Sequence, residues 1–311
     1  MFCCGWIYLE GKNIKLTFNV GMYFQREWPM IRRSKNAGVV FASKAVAIAL
    51  LCTLTSCIDL SQITTFSSTA KQAGTALPAL VSDLKSSCER FNSYAPPGSA
   101  ARDCSQYDAQ SKGISAVQSV LLNYMQALGQ LSSDKAVTFS QGTSDLATSL
   151  KNAGLDEAAS KATTGLAGKL ADAVTNGYRR KKLAQFVHSE NGDVQILTTG
   201  LANIIGNDYK QVLDNEKTAM ESYYKRALLN QDREPLTAVL VQHQWLQDES
   251  SLKAKMDAAD AYAKIMKSIA DGHQKLNNAG TSLNTKDLLQ ILGKDIGDIA
   301  SSVTDVNKAF K

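Results

Sequence analysis

The chain has 311 residues, 44% of them hydrophobic, which is enough for one sizeable core. Its formal net charge of +5 belongs to the first 56 residues, which hold seven basic and two acidic residues, so the rest of the chain is neutral. A nucleic-acid partner is therefore not expected, because phosphate binding needs a clustered excess of Lys and Arg.

Residues 30–56 have the layout of a secretory signal peptide. Three basic residues follow Met30, the ten-residue stretch Ala45–Leu54 is apolar, and small polar residues come next. A membrane span is the weaker interpretation, because it needs about 20 apolar residues and Lys44 interrupts the run. Since a signal begins near its positive start, we expect residues 1–29 to be an over-extended N-terminus.

The four residues Leu54-Thr55-Ser56-Cys57 resemble the lipobox of bacterial lipoproteins. In that family the signal is cut just before the cysteine, and the cysteine carries acyl chains. The resemblance implies that Cys57 is the first mature residue and the lipidation site, that residues 57–62 form a lipidated tether, and that the membrane is a partner. Ile58 follows the cysteine in place of an acid, which in a Gram-negative cell favours the outer membrane facing the periplasm. An ordinary signal with an incidental cysteine is the alternative, and the resemblance does not extend to residues 58–311.

Two cysteines, Cys88 and Cys104, follow Cys57, and in an exported protein they predict one disulfide bond. The turn signal Pro96-Pro97-Gly98 lies between them, so the bridge would close the open end of a helical hairpin over residues 63–131. Two cysteines lack the ligand count of a metal site, and no histidine stands near them to activate a thiol. No cofactor is expected.

Apolar residues at steps of three and four predict a helix over residues 63–94, with a kink or break at Pro78. The same spacing predicts a second helix over about 105–131, which forms the hairpin with the first. The polar segment 132–145 predicts a linker.

Residues 146–311 predict a helical bundle that packs with the hairpin. Glycines favour breaks within 146–188, and Asn191-Gly192 predicts a turn. Long helices are expected near 194–230 and 235–277, followed by a last helix that ends near Phe310. The fold class is therefore all-α, an elongated antiparallel bundle of about six helices.

Candidate chemistry is sparse in this part of the chain. Residues 164–170 resemble half a phosphate loop, but they lack its first glycine and its Ser or Thr. Asp156 and Glu157 are interpreted as charges at a helix N-terminus. The three histidines never stand at chelating spacing and are interpreted as surface or capping residues: His188, His243 and His273.

One dense run of positive charge follows Tyr178 and consists of Arg179, Arg180, Lys181 and Lys182. On a helix these residues would spread around the circumference, so the main interpretation is a solvated helix surface. The functional interpretation is contact with anionic lipid headgroups or acidic envelope polymers. The aromatic residues Tyr223, Tyr224 and Trp245 are candidates for a ligand cleft, although aromatics at helical spacing are more often core.

The favoured function is a lipid-anchored cell-envelope protein whose helical domain binds or scaffolds an envelope protein. An exposed apolar stripe would favour it. One alternative is an envelope enzyme, hydrolase-like, with a site assembled from distant residues, which a cleft of converging titratable groups would favour. Another is a membrane-active helical protein in which Ile196–Ile205 inserts, although ten residues are too few to span a bilayer.

Overall fold

The computed structural model describes residues 60–138, 146–229, 235–280 and 285–311. The predicted leader, Cys57 and most of the tether lie outside the described residues. The chain divides into two units, Met1–Ser56 and Cys57–Lys311, and every described residue belongs to the second.

The described residues form α-helices joined by turns, with no strand among them, so the predicted all-α class is confirmed. Two pairs of consecutive α-helices are joined through a single 3-10 or π-helical turn, so the nine α-helices of the described residues form seven helical stretches, close to the number expected, and these pack as a bundle. The α-helices are α1 (Ser61–Gln72), α2 (Leu77–Tyr94), α3 (Gln106–Ser132), α4 (Leu146–Asn152), α5 (Glu157–Thr175), α6 (Leu183–Asn203), α7 (Lys210–Leu229), α8 (Pro235–Ala279) and α9 (Thr285–Ala309).

The first predicted helix is interrupted close to Pro78. A 3-10 turn at Ala73–Thr75 separates α1 from α2, and Pro78 stands in the first turn of α2. This position suits proline, because the N–H that it lacks would have no partner within the helix there. The predicted break is confirmed, and the row of apolar residues predicted from the spacing continues across it and is buried: Ile63, Phe66, Ala70, Ala73, Leu77, Leu80 and Leu84.

Two long helices dominate the second half. α6 and α7 run on through a π-helical turn at Ile204–Tyr209, and α8 has 45 residues, a length of about 67 Å. The first of them begins at Leu183, earlier than expected, because Asn191-Gly192 lies inside α6. The predicted turn is wrong, and a contact to α8 accounts for it: the Asn191 side chain donates to Gln274 Oε1 at 2.8 Å.

The glycine-rich stretch breaks at two of its four glycines. Gly154 and Gly177 have φ of 75° and 56°, a left-handed conformation that favours glycine, and they follow α4 and α5. Gly165 instead lies inside α5, where an added Cβ would collide with the Asp193 carboxylate. Packing of α5 against α6 therefore explains that glycine.

The order of the helices defines two ends of the bundle, which we call proximal, where the described chain begins at Leu60, and distal, which is the opposite end. At the proximal end α1 begins and α3 ends, and Thr64 Oγ1 lies 2.7 Å from Ser132 Oγ. At the distal end α2 and α7 end and α8 begins, and Arg226 Nη2 donates to the carbonyl of Tyr94 at 3.3 Å. Of the predicted linker, residues 132–138 are described: Ser132 ends α3, and Val137 is buried in the core.

The predicted disulfide is present at the distal end. Cys88 in α2 and Cys104 before α3 are bonded, with their Cα atoms 5.8 Å apart. The connection they close is also held by Asn92, which donates to the Arg102 carbonyl at 3.0 Å and accepts from the Arg102 N–H at 2.9 Å. The hairpin of α2 and α3 is therefore fastened at its open connection.

Replacing both Cys88 and Cys104 with serine is expected to lower the free energy of unfolding by about 3 kcal/mol, because the bond closes a short loop that is otherwise free in the unfolded chain. Urea denaturation followed by circular dichroism measures the loss. A reductant should destabilise the wild type by the same amount and leave the double variant unaffected. Equal stability of the two proteins under oxidising conditions would contradict the expectation.

Candidate functional site

The residues singled out from the sequence do not meet in one site. Cys57 lies outside the described residues, and the Cys88–Cys104 disulfide stands at the distal end. The basic run, defined as Arg179 to Lys182, lies at the proximal end, where it contacts the turn that follows α3. The candidates therefore mark opposite ends of the bundle.

The basic run lies on a connection between helices. Arg180–Lys182 form a 3-10 turn that leads into α6, so the prediction of a run spread around a helix is wrong. Arg179 Nη1 donates to the carbonyl of Asp134 at 3.3 Å, and the Arg180 N–H donates to Asp134 Oδ1 at 3.4 Å. Lys182 Nζ donates to Gln185 Oε1 at 2.9 Å, and Arg179 and Lys181 are exposed.

A buried charge cluster, which the sequence reasoning missed, joins α2, α7 and α8. It consists of Asp83, Arg90, Glu216, Lys255 and Tyr209. Arg90 donates to both oxygens of Asp83 at 2.9 Å and to Glu216 Oε2 at 3.0 Å. Lys255 Nζ and Tyr209 Oη also donate to Asp83, at 3.0 and 2.8 Å. Asp83 is thus held by donors from α2, α8 and the π-helical turn before α7, whereas Glu216 of α7 is held by donors from α2.

The electrostatics of this charge cluster favour a structural role. Burial alone would raise the pKa of Asp83, but Arg90 and Lys255 outweigh it, so the pKa lies below its ordinary value. Burial, followed by the Asp83 carboxylate, raises the pKa of Tyr209. Because donors already occupy the carboxylate oxygens inside the packed bundle, we interpret the cluster as an ionic lock between helices.

A sequence signal for the charge cluster existed. Asp83, Ser87 and Arg90 follow each other at steps of four and three, parallel to the apolar stripe of α2. Ser87 Oγ donates to Glu216 Oε2 at 2.6 Å. Polar residues beside a buried stripe at helical spacing indicate a buried polar contact, although the sequence does not say which helix supplies the partner.

His273 lies in the core, so its interpretation as a surface or capping residue is wrong. Its Nε2 lies 2.7 Å from Tyr124 Oη, and its Nδ1 lies 3.0 Å from Asn191 Oδ1. Burial lowers its pKa to about 3, so the ring is neutral at physiological pH. His188 and His243 are exposed, and the described part of the chain contains no group of three or more His, Cys, Asp or Glu able to hold a metal ion.

The aromatic candidates pack around one carboxylate at the distal end. Tyr94 Oη donates to Asp248 Oδ2 at 3.0 Å, and Tyr224 Oη donates to the same oxygen at 2.5 Å. The Tyr224 ring stacks on Trp245 with centroids 5.9 Å apart, and Tyr223 meets Tyr224 edge-on at 5.2 Å. Burial, with the Asp248 carboxylate, raises the pKa of both Tyr94 and Tyr224. The rings therefore pack on one another around this carboxylate.

An open groove of about 910 Å³ runs along α5. The segment that resembles half a phosphate loop lines part of it, but this segment is helical, so its N–H groups bond within α5. Glu157 pairs with Lys161 across the groove wall, and Asp172 accepts from Tyr178 Oη at 2.7 Å. Asp156 is the N-cap of α5 and accepts from the Ala159 N–H at 2.7 Å, which confirms its interpretation as a helix N-terminal charge.

The first three turns of α8 are apolar on two faces. Val241 and Trp245 pack against the core. The outward face presents Leu236, Val239, Leu240 and Leu246, which are 73%, 62%, 61% and 59% exposed; we call these four residues the apolar stripe. Leu229 at the end of α7 is also exposed, at 77%. From Pro235 to Gln247 the helix contains no Asp, Glu, Lys or Arg.

The segment proposed for membrane insertion belongs to the core. Leu197, Leu201, Ile204 and Ile205 are buried between the helices. No helix within the described ranges has the length and apolar character needed to cross a bilayer.

Comparison of the chain with protein-family models, curated proteins and solved structures finds no match. The molecule is therefore characterised by its own geometry. It is an all-α bundle with a basic run at one end and an apolar stripe at the other.

Replacing Arg90 with methionine is expected to cost about 3–5 kcal/mol of unfolding free energy at neutral pH, because two buried carboxylates lose their shared partner. The deficit should shrink toward about pH 4. In the wild type the lowered pKa of Asp83 stabilises the fold at higher pH, and this stability is lost as the pH falls; in the variant, burial raises that pKa, so protonation relieves the strain.

Urea denaturation across that pH range measures both effects. Lys85 lies on α2 like Arg90, and Lys85→Met, which removes its exposed pair with Asp108 of α3, is the matched control and should leave stability almost unchanged. A loss for Arg90→Met no larger than the control's would refute the ionic lock.

Proposed function

We propose that this protein is a lipid-anchored protein of the bacterial cell envelope, and that its helical bundle binds a partner protein of the envelope through the apolar stripe. The observation that carries the proposal is the exposure of Leu236, Val239, Leu240 and Leu246 on one face of α8. Contiguous exposed apolar surface at one end of a soluble bundle is typical of an interaction site.

The packing of α8 explains why a partner is required. A helix that is apolar on opposite faces is normally covered on both, since each face loses free energy in water. Val241 and Trp245 use one face against the bundle, and the stripe occupies the other. Leu236 precedes Val239 by three residues and Leu240 by four, and Leu246 follows Val239 by seven, so the four side chains share one face, as they do in a helix that seats its side chains in an apolar groove of another protein.

A protein groove fits the stripe better than a bilayer or a second copy does. Interfacial helices carry Lys and Arg on their polar face, and Pro235–Gln247 contains none. Two stripes pairing across a two-fold axis would bury roughly 400 Å², from a helix about 20 Å long and 10 Å wide on each side. Stable dimers bury about 1,200 Å² or more, whereas a groove that encloses the helix also covers its flanks.

The lipobox resemblance of residues 54–57 supports the anchor. The chain enters the bundle at the proximal end, through Leu60. Asn277 of α8 lies at that same end, 2.9 Å from His188. Leu240 is 37 residues earlier in the same helix, about 55 Å away. The tether would therefore hold the bundle by one end and present the stripe at the other.

The two alternatives have less support. The perturbed groups of the charge cluster and His273 are already hydrogen-bonded to neighbouring side chains within the bundle, and Tyr94 and Tyr224 are both bonded to Asp248. Leu197, Leu201, Ile204 and Ile205 of the segment Ile196–Ile205 are core residues, so insertion would require the bundle to open.

Cys57→Ala is expected to abolish incorporation of labelled palmitate and to release the protein from the membrane fraction, because the acyl chains attach at that sulfur. Cys52→Ala, a cysteine of the same leader, is the matched control and should keep both label and membrane binding. A wild type that takes up no label, together with a variant that stays membrane-bound, would reject the anchor.

Leu236→Glu with Leu240→Glu is expected to prevent partner binding, because two charges enter a surface that must be desolvated. A photo-crosslinking residue at position 239 should give one adduct of defined mass in intact cells, and the double substitution should remove it. The same crosslinker at position 289, where Leu289 is 57% exposed on α9, is the control and should give no such adduct. An adduct of twice the chain's mass would identify a second copy and contradict a different partner protein, as would equal labelling from both positions.

A further inference from the structure

The end of α3 fixes the position of the basic run. Asp134 has φ of 55°, a left-handed residue that turns the chain after the helix, and the Lys135 N–H donates back to the carbonyl of Gln130 at 2.8 Å. This turn presents the Asp134 carbonyl and carboxylate to Arg179 and to the Arg180 N–H. The run is thus held on the bundle in a defined place at the proximal end.

The same turn lies beside the point where the chain enters the bundle. Thr64, one helical turn after Leu60, contacts Ser132 and Ser133 at 2.7 and 3.2 Å. Three peptide steps separate Leu60 from Cys57, a reach of at most about 11 Å. Whatever holds Cys57 therefore holds the basic run close to the same surface.

The local charge at this end is positive. Arg179, Lys181 and Lys182 of the run and the exposed Lys135 outnumber the two neighbouring acids, Asp134, which accepts from Arg179 and Arg180, and Asp172, which accepts from Tyr178. This excess of positive charge acts only at short range, because salt at physiological strength screens exposed charges beyond about 8 Å. The basic run can therefore bind a membrane only when it is held near one, and the anchor would place it there.

From this juxtaposition we infer that the basic run is a second membrane contact, one that binds the phosphate groups of anionic phospholipids beside the anchor. The inference rests on the proposed anchor for its placement. Anionic headgroups are the favoured ligand because they lie in the surface to which Cys57 would be attached, whereas a soluble acidic polymer has no reason to meet this end of the bundle. The contact would orient the bundle, with the apolar stripe directed away from the bilayer.

The test uses the chain from residue 57 onward, which forms one compact unit, with Cys57→Ala so that no acyl chain contributes. Its co-sedimentation is measured with vesicles of phosphatidylcholine alone or mixed with phosphatidylglycerol, at low and physiological salt. Lys181→Glu with Lys182→Glu reverses two charges and leaves the contacts of Arg179 and Arg180 with Asp134 in place. Lys217→Glu with Lys225→Glu, two lysines of α7 that pair with Glu221, makes the same change of net charge elsewhere.

We expect binding that needs phosphatidylglycerol and weakens with salt. The substitution in the run should lower the partition coefficient at least about 25-fold, at about fivefold for each basic residue lost, and the α7 substitution should have little effect. Circular dichroism confirms that each variant is folded. Equal binding to both kinds of vesicle, no binding, or an equal loss in both variants would overturn the inference.

Binding to an acidic polysaccharide as tight as binding to the vesicles would also overturn the inference, because the run would then not select lipid. The vesicle assay is independent of acylation. If the protein takes up no palmitate, the proposed function is wrong. If the protein does not bind anionic vesicles, only this inference is wrong.

Discussion

The bundle depends on Arg90 meeting two carboxylates in its interior. An ionised carboxylate is costly to remove from water, and Asp83 and Glu216 are both buried. Arg90 offsets that cost by donating to both carboxylates at once, and Lys255 and Tyr209 donate further hydrogen bonds to Asp83. These donors have fixed directions, so the cluster is satisfied in one register of α2 against α7 and α8. The buried apolar faces of these helices alone would allow neighbouring registers at a smaller cost in free energy.

This register determines what the distal end looks like. With α2 fixed against α7, Tyr94 reaches Asp248 of α8 and stands beside Tyr223 and Tyr224. That aromatic packing covers the inner face of α8 at Trp245. The outer face has no such cover within the described bundle, and the apolar stripe results. The π-helical turn contributes as well, because it places Tyr209 against Asp83 without breaking the long helix.

Features that follow from local spacing could be predicted from the sequence. The apolar steps of three and four located the helices, Pro78 located the break, and the two cysteines after the leader located the bridge. Features decided by a distant partner could not. Asn191-Gly192 has the composition of a turn but stays helical because α8 bonds Asn191.

The predictions for His273 and for the basic run were wrong for the same reason. The ring of His273 is held in the core by partners on α3 and α6, and the basic run was placed on a helix because no local signal told where α6 begins. For the charge cluster, spacing along α2 could have flagged Asp83 and Arg90 as buried, but only the fold supplies Glu216. Local spacing thus predicts where the helices lie, whereas the buried charge cluster depends on which polar groups pair across helices.

The separation of charge and apolar surface between the two ends has a physical consequence of its own. An exposed apolar stripe on a freely diffusing protein invites random association, since it meets any other apolar surface in any orientation. A tether at the proximal end would remove most of those orientations, and a basic run against an anionic surface would remove more. The partner's groove would then meet the stripe at one height above the membrane, at an effective concentration set by the bundle's length rather than by diffusion in bulk. A rigid helix of 45 residues suits that task, because a flexible linker of equal reach would spread the stripe over many heights.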